Sequence, residues 1–161
     1  MKMLRCGVIG LLVLGGAVSG HAQIVQKNAL TLDAARAVAS AAESAARTQG
    51  ARVVIAVVDE GGSLLLLERL DDTQVASVDV AIGKARTAAI FRRPSKVFED
   101  QIRDGRIAAL ALSGSTPLQG GIPIEFAGKV IGAIGVSGET PDEDEGIAIA
   151  GATAAKAFGK K

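Results

Sequence analysis

The 161-residue sequence has no Trp, no Tyr, one Cys, one His, two Met and four Phe. The few reactive side chains are crowded at one end, because Met1, Met3, Cys6 and His21 all fall within the first 22 residues. That stretch opens with two cations and no acid (Met1-Lys2-Met3-Leu4-Arg5), continues as an apolar run over residues 7–18, and ends in Ser19-Gly20-His21-Ala22. A basic start, a short apolar centre and a small-residue exit are the pattern of a secretory signal peptide. The expectation is therefore cleavage after Ala22, a single domain over residues 23–161, and a periplasmic or secreted protein. A retained anchor helix is the lesser alternative, since crossing a bilayer takes about 20 apolar residues and this run is shorter and broken by glycine. Cys6 lacks the small residues that precede a lipidated cysteine, and no other segment reads as membrane-spanning.

Each absence excludes a class of chemistry from the processed chain. Without a thiol there is no disulfide, even in a compartment that permits one. Without imidazole or thiol the Ser-His and Cys-His nucleophile pairs cannot be assembled. Loss of Lys2 and Arg5 takes the formal net charge from +1 to −1. A chain that is not basic and whose only aromatic is Phe does not suit nucleic acid, which asks for clustered cations and stacking rings. The remaining residues suffice for one core. With no covalent staple, stability rests on packing and on self-association as a homo-oligomer.

What the sequence does have is apolar patterning, with 48% hydrophobic residues and 20 Gly. Thr31 is placed to cap a helix in which Leu32, Ala35, Val38, Ala39, Ala42 and Ala46 share a face, and Gly50 ends it. Residues 52–59 (RVVIAVVD) and 63–70 (SLLLLERL), joined by Glu60-Gly61-Gly62, predict a hairpin. A helix over residues 74–90, a break at Arg92-Arg93-Pro94-Ser95 and a short helix over residues 96–103 behind a Ser95 cap follow. Residues 107–119 show no clear pattern. Residues 121–126 and 129–136 predict a second strand pair about Ala127-Gly128, and residues 142–158 a final helix with four acids in its first turn. Hairpins dominate and βαβ alternation is absent, so an α+β fold with an antiparallel sheet covered by helices is expected.

The motifs in this order resemble the GlcG/HbpS-like (haem-degrading) family. In the C-terminal half they are Gly120-Gly121-Ile122-Pro123-Ile124, Gly132-Ala133-Ile134-Gly135-Val136-Ser137-Gly138 and the acidic helix start with Ile147-Ala148. In the N-terminal half they are Val57-Val58-Asp59-Glu60-Gly61-Gly62 and Lys84-Ala85-Arg86-Thr87-Ala88. The resemblance spans about residues 28–158. It implies a profilin-like α/β fold, homo-oligomers and a link to haem binding or degradation, with relatives in glycolate- and diol-utilisation contexts. It also places the helix bearing Lys84 and Thr87 beside a cleft.

Haem iron is normally held by His, Cys, Met or Tyr, and the processed chain has none of the four. Haem as a cofactor is therefore expected to bind weakly or atypically, through apolar contact and cations on the propionates. Ile122, in the Gly-Gly-x-Pro segment, offers no ligand.

For an enzyme, the candidate bases are Asp59, Glu68, Asp79, Glu125, Lys84 and Lys129, and no catalytic residue stands out among them. Gly135-Val136-Ser137-Gly138 lacks nucleophile-elbow spacing. Gly132-x-x-Gly135-x-x-Gly138 lacks dinucleotide-fingerprint spacing, and its simpler role is close backbone packing. The Asp142-Glu143-Asp144-Glu145 run reads as solvated charge matched to a helix dipole rather than a metal site. Arg92-Arg93 suits either a helix C-terminus or an anionic group.

The expectation is a binding protein for haem or a haem-like small organic ligand. The ligand-binding residues expected are Lys84, Thr87, Phe91, Gly120, Gly121, Pro123 and Glu125, with no metal site and no nucleic-acid or membrane partner after processing. The alternatives are a lyase or isomerase acting on a small carboxylate or carbonyl compound through a carboxylate base, and an accessory interaction protein.

Overall fold

The computed structural model describes residues 24–159; the leader assigned to residues 1–22 lies outside them. The elements run α1 (Leu32–Gln49), β1 (Val54–Asp59), β2 (Leu64–Arg69), α2 (Ser77–Phe91), α3 (Lys96–Arg103), β3 (Gly121–Phe126), β4 (Lys129–Ser137) and α4 (Pro141–Ala154). Short 3₁₀ turns occupy Ile107–Ala111 and Ala155–Ala157. The four strands form one antiparallel sheet in the order β2-β1-β4-β3, flanked by helices as the patterning predicts.

The sheet has two unlike faces, and alternation along each strand produces them. One face presents Ile55, Val57, Ile124, Ile134 and Val136 to α1 and α4, together with Val38, Ala42 and Ile147. The other presents Val54, Ala56, Val58 and Ala133 to the alanines Ala81, Ala85 and Ala88 of α2. On this second face the approach is so close that a Cβ on Gly135 would collide with the Ala81 carbonyl oxygen, and one on Gly121 with that of Lys84. The glycines of β4 are thus packing positions, as expected. Gly132 likewise abuts the Val58 carbonyl and Gly138 that of Arg52.

Local signals explain most boundaries. Thr31 accepts from the Ala34 N–H at the start of α1, and Gly50 closes that helix in the left-handed region at φ 67°. Ala127 (φ 49°) and Gly128 (φ 72°) are both left-handed, as a two-residue hairpin turn with the sheet's own twist demands. Asp59 ties the first hairpin by accepting from the Gly61 and Ser63 N–H groups through Oδ1.

Several expectations are corrected. Leu32 is 44% exposed rather than on the buried face. The second helix begins at Ser77, after two turns over residues 71–76, and α4 stops at Ala154. Residues 107–111 form a 3₁₀ turn. Ser95 does not cap α3: it is fully buried, and its hydroxyl donates to the Leu118 carbonyl (2.5 Å) and accepts from the Gly121 N–H (2.8 Å). A hydroxyl used to stitch a loop to a strand start is unavailable to a helix N-terminus. Thr140, which begins the last helix, makes the reciprocal capping box with Glu143 instead.

Candidate functional site

Two cavities bear on function, and they lie on different parts of the molecule. The larger, about 510 Å³, sits between the β3–β4 hairpin and the C-terminal end of α4. Its walls are Ile122, Pro123, Phe126, Ile149 and Phe158, with Glu125 and Lys156 supplying charge. A register shift between Ile124 and Glu125 marks this end of the hairpin. Bulges of this kind re-aim side chains and end pairing.

The smaller cavity, about 250 Å³, lies where α2 meets the start of α4 and the 118–120 segment. Lys84 and Asp144 face each other there, both buried, with Nζ to Oδ2 at 2.8 Å. Lys84 also donates to the Val136 carbonyl at 2.9 Å, and Asp144 Oδ1 accepts from the Glu139 N–H at 3.1 Å. Burial holds the Asp144 carboxyl above its ordinary value of 3.8, an effect that the Lys84 ammonium and the backbone donors oppose without cancelling. Gln119, also buried, is the knot beside this pair. Its side-chain amide donates to Asp142 (2.8 Å) and Glu145 (2.7 Å), and its carbonyl accepts from Lys96 (3.1 Å).

The expected ligand residues do not converge on one place. Pro123 and Glu125 line the larger cavity, and Lys84 lines the smaller. Thr87 is fully buried, donating to the Gly83 carbonyl and accepting from the Thr116 N–H. Phe91 packs on Phe98 with ring centroids 4.9 Å apart. Gly120 and Gly121 are buried against backbone: φ is 118° at Gly120, and a Cβ there would meet the Val136 carbonyl at 2.8 Å. Their glycine character therefore serves packing.

The acidic run is corrected in part, since Asp142 and Glu143 are exposed while Asp144 is buried against Lys84. Sequence reasoning missed Asp144 and Gln119. The signal available was position, because Asp144, Ile147 and Ala148 lie on the buried face of α4. Among the candidate bases, Asp79, Glu125 and Lys129 are exposed and Asp59 is committed to its turn. Glu68 is half-buried, and burial followed by repulsion from Glu43 raises its carboxyl above the ordinary range.

Residues 30–153 match the family described as "haem degrading protein HbpS-like". The chain belongs to the HbpS-like family. The match extends from α1 to the last turn of α4; it contains the whole lining of the smaller cavity, and of the larger one all but Ala155, Lys156 and Phe158. Protein GlcG of Escherichia coli (strain K12) is 40% identical over 108 residues, 67% of this chain and 81% of that protein. A double mutant of Streptomyces reticuli HbpS superposes with a TM-score of 0.74 at 32% identity, covering 91% of this chain and 97% of that one. A haem complex named PduOC shares the fold, with a TM-score of 0.72 at 24% identity over 79% of this chain and 95% of that one. Among the described residues of this family member there is no His, Cys, Met or Tyr. No group of three or more His, Cys, Asp or Glu side chains that could hold a metal ion is found among them either.

Proposed function

We propose that this chain is an exported small-molecule-binding protein that takes haem or a flat haem-like molecule in the cleft between the β3–β4 hairpin and the end of α4. The observation that carries the reading is that cleft, with Phe126 and Phe158 among its apolar walls and the exposed Lys156 at its margin. Its volume of about 510 Å³ falls within the range of small-molecule pockets. Apolar walls suit the face of a macrocycle, and one ammonium suits one propionate. The residues present fit the porphyrin but not the usual axial ligation of its iron, for which no donor of the ordinary four types is described. Binding by shape and charge, rather than iron-centred turnover, follows from that donor set. The family description and the haem complex of a protein with this fold support haem as the ligand class. The leader pattern of residues 1–22 supports export, and the exposed Ile107 and Leu110 support self-association.

Hemin titration of the exported protein tests the reading. A saturable change in the Soret band is expected, weakened about tenfold, or about 1.4 kcal/mol, by Ile149→Asp in the cleft wall. That residue is 49% exposed, so the fold tolerates the charge. Native mass spectrometry of the same sample is expected to show loss of residues 1–22 and more than one subunit. A Soret response unchanged in Ile149→Asp, or no saturable response at all, overturns the reading.

A further inference from the structure

The smaller cavity has features that its structural role leaves unexplained. The Ser77 hydroxyl, in the first turn of α2, is buried with its residue only 1% exposed, yet its Oγ finds no hydrogen-bond partner among the described residues. Ser77 lines the cavity, as does Lys84 two turns further along the same helix. A lysine ammonium has three protons to donate, and Lys84 uses two of them, on the Val136 carbonyl and Asp144. A buried hydroxyl left without a partner is costly to the fold. The unpartnered hydroxyl and a lysine with one proton uncommitted therefore line the same small space, where a single ligand oxygen would satisfy both.

The rest of the lining narrows what that oxygen belongs to. Glu99, Glu139 and Asp144 line the cavity against the one cation, Lys84. An anionic ligand would meet a surplus of negative charge, and a cationic one would be brought against the Lys84 ammonium. The carboxylates are also engaged: Glu99 accepts from the Gln119 N–H, Glu139 from the Arg52 N–H, and Asp144 from Lys84. Ala76, Val80, Leu118 and Pro141 supply aliphatic surface for a short carbon skeleton. The volume, about 250 Å³, is below that of sites for drug-sized ligands.

We infer that this cavity is a second binding site, separate from the apolar cleft, for a small uncharged alcohol or carbonyl compound. The ligand oxygen accepts from Lys84 Nζ and pairs with the Ser77 hydroxyl. Hydroxyacetone is the probe, with glycerate as the anionic control and ethanolamine as the cationic one. In ¹H–¹⁵N spectra of the full-length protein, hydroxyacetone is expected to shift the amides of Ser77, Gln119 and Glu139 saturably. The two controls leave those amides in place at the same concentration. Ser77→Ala, which adds no atoms, is expected to weaken hydroxyacetone binding at least fivefold while the ligand-free protein melts no lower than wild type. The proposal is overturned by an absent saturable shift, by an undiminished one in Ser77→Ala, or by stronger binding of either control. Hemin is followed separately by its Soret band, so failure of one site is distinguishable from failure of the other.

Discussion

Lys84 and Asp144 show how much one buried pair constrains. Taking both charges out of water is costly, and their attraction and shared backbone partners offset that cost only while both are present. Lys84→Met, which leaves the Asp144 carboxyl facing an apolar chain, is expected to destabilise the fold by about 3–5 kcal/mol in urea denaturation. The double variant Lys84→Met/Asp144→Leu is expected to recover most of that loss, because it removes the unpartnered charge along with its mate. A double variant no more stable than Lys84→Met would show that the pair is held by something other than mutual compensation. Lys84 was legible in the sequence as a noteworthy helix residue, but its partner was not. Asp144 stands 60 positions away, inside a run of four acids, and within that run only its place on the buried face of α4 beside Ile147 and Ala148 sets it apart. Gln119 was hidden for a similar reason: it lies in a stretch with no periodicity, and its three side-chain partners come from two different helices.

At the scale of elements, boundaries were readable where a single residue decides them and unreadable where tertiary contacts compete. Thr31, Gly50, Ala127 and Gly128 act through their own backbone neighbourhood, and each was assigned correctly from the sequence. Ser95 was misread because its hydroxyl is taken by the Leu118 carbonyl and the Gly121 N–H, neither of them local. The last helix carries its own start signal in Thr140 and Glu143, whose reciprocal bonds satisfy N–H groups that the helix itself leaves open. Thr140→Ala is expected to cost about 1 kcal/mol. That corresponds to a fall in Tm of about 3 °C for a domain of this size, read by circular dichroism. Since the first turn of α4 delivers Asp144, fraying there loosens the smaller cavity, whereas the larger cleft rests on the helix's other end. The glycines of β4 were legible as close-packing positions but not as to what packs on them, and at Gly121, expected to line a ligand, it is the Lys84 carbonyl that approaches.

Across the whole molecule, charge and layering set the pH response. Glu68, on β2, has its pKa raised first by burial and then by repulsion from Glu43 of α1, which is itself paired with Arg47. With its folded pKa raised, Glu68 holds its proton in the folded state at pH values where the unfolded chain has released it. Its contribution to stability therefore falls as pH rises above the ordinary value of 4.5 through the folded pKa. Measured as the difference in stability between wild type and Glu68→Gln, that decline is expected to be visible in urea melts taken at increasing pH. A difference that grows with pH would contradict it. Glu143 acts in the opposite sense, because its bonds to Thr140 lower its pKa. Its contribution is present above the ordinary value and lost as pH falls through the folded one. The overall architecture, an antiparallel sheet between helices, followed from hairpin order and apolar spacing. The division of the expected ligand residues between two cavities did not, since which face a residue meets depends on strand register and helix rotation together.

The contrast between the two faces of the sheet has a mechanical consequence. On the α2 side, glycine and alanine put backbone almost against backbone, so there is no cushion of side-chain rotamers to absorb displacement. Helix and sheet are held there at main-chain contact. On the opposite side, the branched side chains Ile55, Val57, Ile134 and Val136 stand between the sheet and the helices α1 and α4. Volume added at Gly121 or Gly135 therefore meets main chain that has no rotamer to change.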